Sequence, residues 1–400
     1  VVCTSDDDRP GLQALLSRGV ANGVEGLRIV ERDELLEMEP NVSDEAVAAL
    51  WAPTAGIVNP FQFTIALAEN ANINGVDFLF NEKVVGLSRH EGGGWRIRTD
   101  KRDIRARVVV NAAGVHADEI HNLVATNDDQ LVITPRRGQY YVLDTSVDGY
   151  VQHTVFSLPT KLGKGVLVTP TTAGNILVGP TAEDIDDKEG VDTTFEGTDE
   201  VRRKCAITMK DVPLSYSIRT FSGLRAHQPG HDFIIGEVAG APGFVDCAAI
   251  ESPGLSAAPA IGLMVADIVR GLLVFPERKA YWQATRARIP DVEHLSAEEL
   301  ARLIEKRPDY GRVVCRCRHV TEGQIVDAIR APLGARSLDA VKRRTEAGMG
   351  RCQSGFCSPK VMEIIAREID GLQMEDVTKM GPGSELCFGR TRPAHEEDGR

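Results

Sequence analysis

Apolar positions recur along this chain with two different periods, and the pattern predicts a mixed α/β protein. Capped stretches with helical spacing predict helices over residues 10–22, 61–72, 198–210 and 256–270, with a short helix after Ser296. Short apolar runs predict strands at 76–80, 84–87, 95–98, 104–110, 133–143, 166–169, 176–178, 233–235 and 244–246. Strands dominate from 133 to 247, as expected for a cofactor domain interrupted by an antiparallel substrate domain.

Four cysteines near the C-terminus carry the most specific chemistry. They read Cys-x-Cys, then 34 residues, then Cys-x4-Cys, at Cys315, Cys317, Cys352 and Cys357. Two cysteines one residue apart are poorly placed to bridge each other, so a disulfide does not explain the spacing. Four convergent thiolates bind either a structural zinc ion or an iron–sulfur cluster. Free buried cysteines with chance spacing are the remaining interpretation.

The surroundings of these cysteines favour the cluster over zinc. Residues 311–360 contain ten Arg or Lys and four Asp or Glu, within a chain of net charge −12. Two predicted helix starts also lie close to the cysteines, a capping box of Thr321 with Gln324 and a cap at Ser358 followed by Pro359. Helix N-termini and cations both stabilise an anionic centre. The flanking cations are Arg316, Arg318, Arg351 and Lys360.

Length and composition narrow the class of protein. A chain of 400 residues predicts two or three domains, and its longest apolar helix, near 257–269, carries Asp267 and predicts no membrane span. No leader peptide is recognised, and eight cysteines without a small disulfide framework indicate the cytoplasm. The acidic chain argues against nucleic-acid binding. The basic stretch could instead dock an acidic redox partner.

The cysteine region resembles the bacterioferritin-associated-ferredoxin type of 2Fe–2S domain. The resemblance covers about residues 311–370 and rests on CRCRHVTEGQIVDAIR followed by MGRCQSGFCSPKVMEII. It implies a 2Fe–2S cluster held by the same four cysteines.

The first 270 residues resemble the FAD-dependent D-amino-acid-oxidase-like superfamily, most closely its anaerobic glycerol-3-phosphate dehydrogenase-like branch. The matching segments are ANGVEGLRIVERDELLEMEPNV, TAGIVNPFQFTIALAENA, VVNAAGVHAD, PRRGQYYVLD, GKGVLVTPTTAGNILVGPTAEDIDD, FSGLRA and ESPGLSAAPAIG. The resemblance implies an FAD-binding Rossmann-like domain with an antiparallel substrate domain. That family often carries the same cluster domain at its C-terminus.

The resemblance also implies which residues meet the flavin. The backbone of Val84 would meet adenine, and the small residues that end VVNAAG would pass close to the cofactor. The turn at 250–256 would aim a helix N-terminus at the flavin edge that is negative when reduced. The implied cofactor residues are Val84, Ala112, Ala113, Gly114, Ser252, Gly254, Leu255 and Ser256.

Arg225 matches the arginine that commonly anchors an anionic substrate over the flavin in this superfamily. Its forked guanidinium suits a carboxylate or a phosphate. Arg137 and Lys164 are predicted to assist it, and Arg136 is a further anion-binding candidate. His116 and His227 are candidate proton acceptors, although lone histidines are more often structural.

The sequence departs from the family at one motif. No Gly-x-Gly-x-x-Gly turn precedes these segments, and Gly92–Gly94 reads only as a hairpin loop. We therefore expect a Rossmann-like domain that is truncated at its N-terminus. Expected domains are 1–275 for the flavin region, with its substrate sheet mainly at 130–245, then a linker at 276–310, the cluster domain at 311–370 and a tail at 371–400.

The expected activity is oxidation of sn-glycerol 3-phosphate to dihydroxyacetone phosphate, with electrons passing from FAD to the cluster. A redox partner protein or a quinone-linked subunit would accept them, in the cytoplasm or at the inner face of the membrane. One alternative keeps the flavin and changes the substrate to a 2-hydroxy acid or an amino acid such as glycine or proline. A second alternative is a non-catalytic electron-transfer subunit that uses only the cluster.

Overall fold

The computed structural model describes residues 1–159, 165–230, 232–273, 277 and 279–387. The described chain divides into two compact units. The first contains Val1–Ile57 and Leu79–Lys279, and the second contains Val58–Phe78 and the chain from Ala280 onward. The predicted domains, with a flavin region over 1–275 and a cluster domain over 311–370, stay a prediction, and within the first of them Val58–Phe78 packs with the second unit.

The α-helices are α1 Arg9–Ala21, α2 Arg32–Met38, α3 Pro60–Ile73, α4 Ala117–His121, α5 Phe195–Cys205, α6 Gly254–Leu272, α7 Ala297–Lys306, α8 Glu322–Arg330, α9 Leu338–Thr345 and α10 Ser358–Glu368. Several begin where a cap residue predicts it. Asn59 accepts from the backbone N–H of Gln62 at the start of α3, and Thr321 forms a reciprocal capping box with Gln324 at α8.

The strands are β1 Val2–Cys3, β2 Arg28–Glu31, β3 Ala48–Trp51, β4 Val84–Arg89, β5 Trp95–Thr99, β6 Asp103–Ala106, β7 Val109–Asn111, β8 Thr134–Leu143, β9 Val155–Phe156, β10 Leu167–Pro170, β11 Ile176–Gly179, β12 Glu183–Asp184, β13 Ser217–His227, β14 Ile234–Glu237, β15 Phe244–Ala248, β16 Val313–Cys315 and β17 Val320–Thr321.

Most strand pairs are antiparallel, as the sequence predicted. The largest sheet has the order β12-β8-β11-β10-β9, with β13 also paired to β8. A smaller sheet has the order β14-β15-β7, and its β15–β7 pair is parallel. The mixed α/β class with an antiparallel substrate sheet and a small helical C-terminal domain is therefore confirmed.

Three local expectations differ from the structure. Residues 76–80 form no strand, and the side chains of Val76, Leu79 and Phe80 are exposed. The run 104–110 divides into β6 and β7, which belong to different sheets. Helix α10 begins at Ser358, so its cap is Cys357 and not Ser358.

Each unit has its own apolar core. In the first unit, the large sheet contributes the fully buried Leu143, Ile176 and Val178 to a cluster that also includes Met209. In the second unit, α8 and α10 contribute the buried Ile325, Ile329, Ile364 and Ile365 to a cluster that also includes Val341. Burial of these side chains is the main force that stabilises each unit.

Among the described residues, one helix is long and apolar enough to cross a membrane, and it is α6. Length and composition are the only grounds for that assignment. The helix carries Asp267 and packs against β14 and β15 of its own unit. One such helix is weak evidence for a membrane span.

The capping box of α8 gives a stability prediction. Replacement Thr321→Ala removes the side-chain acceptor for the Gln324 N–H, and Thr321 is 4% exposed. We expect the free energy of unfolding to fall by about 1 kcal/mol, measured by chemical denaturation. Thr321→Ser keeps the acceptor and should remain close to wild type. Equal losses in the two variants would show that the methyl group, not the cap, carries the effect.

Candidate functional site

The four predicted ligand cysteines lie side by side in the second unit. Cys317 Sγ is 3.8 Å from Cys315 Sγ and 3.7 Å from Cys352 Sγ. The side chains of Cys315 and Cys357 are also hydrogen-bonded to each other. Cys315 ends β16 and Cys357 directly precedes α10, so regular elements hold both ends of the group. Cys315 and Cys357 are buried, whereas Cys317 and Cys352 are partly exposed.

Neighbouring groups stabilise a thiolate at Cys315. The hydrogen bond with Cys357 lowers the pKa of Cys315 to about 5, against the opposing effect of burial, and a backbone hydrogen bond from Gly348 lowers it further. The same hydrogen bond, with burial, raises the pKa of Cys357 above its usual range. The thiolate is the form of cysteine that binds metal.

Two glycines allow the cysteine loop to close around the thiols. A Cβ atom added at Gly350 would lie 2.3 Å from Cys317 Sγ, a distance that no real contact permits. Gly348 has a φ of +95°, a backbone conformation that side chains rarely adopt. Gly350 lies within the segment that resembles the 2Fe–2S family, but its steric role depends on the folded loop and does not follow from the sequence alone.

The predicted cationic surroundings are only partly available to an anionic centre. Arg318 forms a salt bridge with Glu346, and Lys360 forms one with Glu363. Their charges are therefore partly neutralised within the protein. Arg316 and Arg351 are exposed. The start of α10 at Ser358 places helix N–H groups beside Cys357, which also stabilises negative charge.

The donor set fits a binuclear iron centre. A 2Fe–2S cluster needs four thiolates around two irons, and four cysteines are available here. Assignment of the individual cysteines as ligands stays a prediction.

A second group of predicted residues meets at one edge of the β14-β15-β7 sheet. Because β7 and β15 are parallel, with Asn111 opposite Asp246, their carboxyl ends lie at the same edge. A cavity of about 490 Å³ opens there, and its lining includes Val84, Ala112 and Ala113. Cofactors bind outside the carboxyl ends of parallel strands in α/β sheets. The structure thus brings three predicted cofactor residues together, and Gly114 follows them at a φ of +60°.

A buried polar network, which the sequence pattern does not predict, supports this edge. Asp246 accepts from the side-chain amide of Asn111 at 2.9 Å, and its other oxygen lies 2.6 Å from His121 Nδ1. His121 Nε2 lies 2.8 Å from the carbonyl oxygen of Asp129. The network joins β7, β15 and α4. Only the three-dimensional pairing of these strands reveals it, because the residues are far apart in sequence.

The turn before α6 holds the other predicted flavin contacts. The Ser252–Pro253 peptide bond is cis, and Gly254 begins the helix in a buried position. A Cβ at Gly254 would lie 2.5 Å from a side-chain carbon of Ile250. Leu255 is 44% exposed, and Ser256 Oγ donates to the carbonyl oxygen of Pro253. These residues do not line the cavity around Val84.

Arg225 lies on one face of the long β8–β13 pair. In the strand register Arg225 is opposite Arg136, and Gly138 and Tyr140 follow on the same face of β8. Arg225 Nη2 donates to the carbonyl oxygen of Thr181 at 2.9 Å. A Cβ atom added at Gly138 would lie only 2.4 Å from this nitrogen. Gly138 therefore leaves the space that the guanidinium occupies.

The structure does not bring Arg137 together with Arg225. Alternation along β8 places Arg137 on the opposite face, where it forms salt bridges with Glu183 and Asp192. Arg136 shares the face of Arg225 but is paired with Asp184 through two hydrogen bonds. Lys164 lies outside the described residues. Of the predicted anion-binding residues in the described chain, Arg225 retains the clearest geometry.

The two candidate histidines have different surroundings. His227 lies two residues after Arg225 on β13, is buried, and has Nδ1 3.1 Å from Glu251 Oε1. It therefore connects the Arg225 strand to the turn before α6. His116 lines the cavity near Val84 and contacts Glu119 and Glu189.

Comparison with known proteins decides the family. Residues 1–268 match the description FAD dependent oxidoreductase. The chain belongs to this family. Residues 313–367 match the BFD-like [2Fe-2S] binding domain, so the oxidoreductase uses FAD and carries a 2Fe–2S domain.

Several known proteins are similar to this chain. The glycerol 3-phosphate dehydrogenase of Caloramator mitchellensis is 46% identical over 392 residues, covering 98% of this chain and 81% of that protein. The glycerol 3-phosphate oxidase of Mycoplasma pneumoniae is 33% identical over 291 residues, covering 70% and 74%. The dithionite-reduced L-α-glycerophosphate oxidase structure from M. pneumoniae, with FAD bound, has a TM-score of 0.63 at 30% identity and covers 71% of this chain and 75% of that one.

The closeness of Gly138 to Arg225 gives a prediction about substrate binding. Gly138→Ala would displace the guanidinium, so we expect KM for glycerol 3-phosphate, the substrate named for the relatives, to rise about tenfold or more. Steady-state kinetics measures this. Gly236→Ala, on β14, is the matched control because its Cβ would meet no atom within 4 Å. An unchanged KM in Gly138→Ala would show that Arg225 does not depend on this space.

The closeness of Gly350 to Cys317 gives a second prediction. Gly350→Ala forces Cys317 or the loop to move. Because a displaced cysteine would bind metal poorly, we expect the iron content of the purified protein to fall by more than about half. Colorimetric iron analysis and the visible spectrum measure it. Gly262→Ala, in α6, adds its methyl group in open space and should retain iron. Full iron in Gly350→Ala would contradict the steric argument.

Proposed function

We propose that this oxidoreductase oxidises sn-glycerol 3-phosphate, or a closely similar phosphate-bearing alcohol, to dihydroxyacetone phosphate or the corresponding ketone. The observation that carries the proposal is the 46% identity to a glycerol 3-phosphate dehydrogenase across 98% of this chain. That extent includes both the oxidoreductase region and the cluster domain. A similarity confined to the flavin region would support only the cofactor.

The residues of this chain have distinct roles in the proposal. Arg225 binds the substrate phosphate through its forked, permanently charged guanidinium, seated over Gly138 and fixed by Thr181. His227, on the same strand and oriented by Glu251, is the candidate acceptor of the hydroxyl proton. Val84, Ala112 and Ala113 would hold FAD at the cavity edge, with Gly114, Ser252, Gly254, Leu255 and Ser256 as the other proposed contacts.

The four cysteines would hold the 2Fe–2S cluster. Oxidation of the alcohol to a ketone removes a proton from the hydroxyl group and a hydride, one proton with two electrons, from the carbon. Bound FAD would supply the two-electron acceptor, and the cluster would supply transfer of single electrons. We propose that an external redox partner, either a protein or a quinone-linked subunit, takes these electrons. This partner would be in the cytoplasm or at the inner face of the membrane.

Membership of an oxidoreductase family favours an enzyme over a non-catalytic carrier. The substrate alternative keeps one specific support, since the mouse mitochondrial L-2-hydroxyglutarate dehydrogenase is 32% identical over 195 residues, 46% of this chain. Arg225 would bind a carboxylate as well as a phosphate. Anaerobic bleaching of the flavin by glycerol 3-phosphate, L-2-hydroxyglutarate or proline separates these substrates. Bleaching by L-2-hydroxyglutarate alone would overturn the proposal.

Replacement of the anchoring arginine tests its role. Arg225→Lys keeps the charge but loses the fork, so we expect kcat/KM for glycerol 3-phosphate to fall about hundredfold, the equivalent of about 3 kcal/mol. The matched control is Arg219→Lys, an exposed position on the same strand. If both variants retain wild-type kcat/KM, Arg225 is not the anchor.

Metal analysis tests the cluster. Protein purified without oxygen should contain about two irons per chain. Cys315→Ser should remove most of the iron and the cluster absorbance, while Cys387→Ser, at an exposed cysteine, should not. Stoichiometric zinc without iron in the wild-type protein would overturn the assignment.

A further inference from the structure

Helix α3 belongs to one domain by sequence and to the other by packing. Its residues Pro60–Ile73 lie within the FAD dependent oxidoreductase match, which covers 1–268. In the structure, however, Val58–Phe78 is grouped with the C-terminal unit that contains the cysteines. Within that unit α3 packs against α9. A helix of the flavoprotein segment is therefore part of the cluster unit.

The first contact between these helices is at the C-terminal end of α9. Gln62 Nε2 donates to the carbonyl oxygens of Arg344, at 2.6 Å, and Arg343, at 3.3 Å. The last carbonyls of a helix have no partner inside it. Gln62 thus satisfies groups that the helix itself leaves unbonded, and the guanidinium of Arg343 lies 5.9 Å from the ring centroid of Phe61.

The second contact is a buried carboxylate shared by two arginines. The side chain of Glu69 is 4% exposed, and its oxygens lie 3.0 Å from Arg286 Nε and 3.8 Å from Arg344 Nε. The side chains of both arginines are mostly buried. Arg344 also donates to the carbonyl oxygens of Leu333 and Ala340. Loss of one partner from a buried ionic group is strongly destabilising, because it leaves charge without compensation.

The charges around Arg344 make Glu69 essential to this packing. Burial lowers the pKa of Arg344, and the neighbouring cations Arg286, Arg336 and Arg343 lower it further, whereas Glu69 raises it. Glu69 is thus the compensating anion of a cationic cluster.

A third set of contacts holds the chain after Ala280 to the same helix. The side-chain amides of Asn70 and Asn74 donate to the carbonyl oxygen of Gln283, at 3.1 Å and 2.9 Å. The Gln283 backbone N–H donates to Asn74 Oδ1 at 2.9 Å. Helix α3 therefore connects the segment that carries Arg286 with the helix that carries Arg344.

Helix α9 leads directly into the cysteine loop. Glu346 follows its last residue with a φ of +67° and forms a salt bridge with Arg318, next to Cys317. Gly348 then provides the backbone hydrogen bond to Cys315, and Gly350 lies against Cys317. The end of α9 thus determines where the loop begins.

We propose that Glu69 is a positioning residue for the cluster, which fixes the end of α9, and hence the cysteine loop, through Arg344. Retention of the cluster would then depend on a residue of the flavoprotein segment. The proposal rests on the 2Fe–2S centre proposed above. Iron analysis of the wild-type protein tests that centre first, and the comparison of variants then tests the role of Glu69.

The experiment measures release of iron to a chelator, without oxygen, from the full-length protein loaded with its cofactors. Glu69→Gln removes the charge with little change in shape, and we expect iron release about tenfold faster than in wild type. Glu69→Asp keeps the charge on a shorter side chain and should restore part of the retention. The matched control Glu298→Gln changes an exposed glutamate in α7 and should release iron at the wild-type rate.

A second pair of measurements separates positioning from general stability. The electron paramagnetic resonance spectrum of the reduced cluster should change in Glu69→Gln and return towards wild type in Glu69→Asp. If Glu69→Gln yields too little folded protein, Glu69→Asp alone should still show faster release than wild type. Wild-type release and an unchanged spectrum in Glu69→Gln, even with a lower unfolding temperature, would overturn the proposal.

Discussion

The register of the β8–β13 pair is the constraint on which the position of Arg225 depends. Ten antiparallel positions, from Leu143 opposite Ser217 to Thr134 opposite His227, fix which side chains point to each face. A shift by one residue would exchange Arg225 with the residues of the opposite face. The register also places Gly138 under the Arg225 guanidinium, so one pairing determines both the position of the cation and the space that it needs.

Close approach at glycine is a feature of both candidate sites. Gly138 admits the Arg225 guanidinium, and Gly350 admits the thiol of Cys317. In each case a small residue allows a functional group to lie against the backbone, where the environment is rigid. Such positions are as restrictive as the functional residues, although they contribute no reactive atom.

The sequence predicts best those features that depend on residues close together in the chain. The caps at Asn59 and Thr321 were predicted from neighbouring residues and are present, and the cysteine spacing indicated a centre whose thiols the structure places together. Strand pairing is not local, so the sequence could not show that Arg137 lies on the face of the sheet opposite to that of Arg225. For the same reason the Asn111–Asp246–His121 network was missed, although its members are ordinary polar residues. Helix α9, whose sequence is mostly polar and charged, was also not predicted.

The position of α3 shows why domain boundaries drawn from sequence differ from those of packing. A sequence family follows the order of the chain, whereas a compact unit follows burial and compensation of charge. Glu69 is buried in the flavoprotein segment, and burial of a carboxylate requires cations close by. Both of these cations, Arg286 and Arg344, lie beyond the oxidoreductase match, which ends at residue 268. Arg344 lies within the match to the cluster domain. The electrostatic requirement of one side chain therefore makes α3 part of the second unit, and separation of the family domains at residue 268 would leave that carboxylate without its partners.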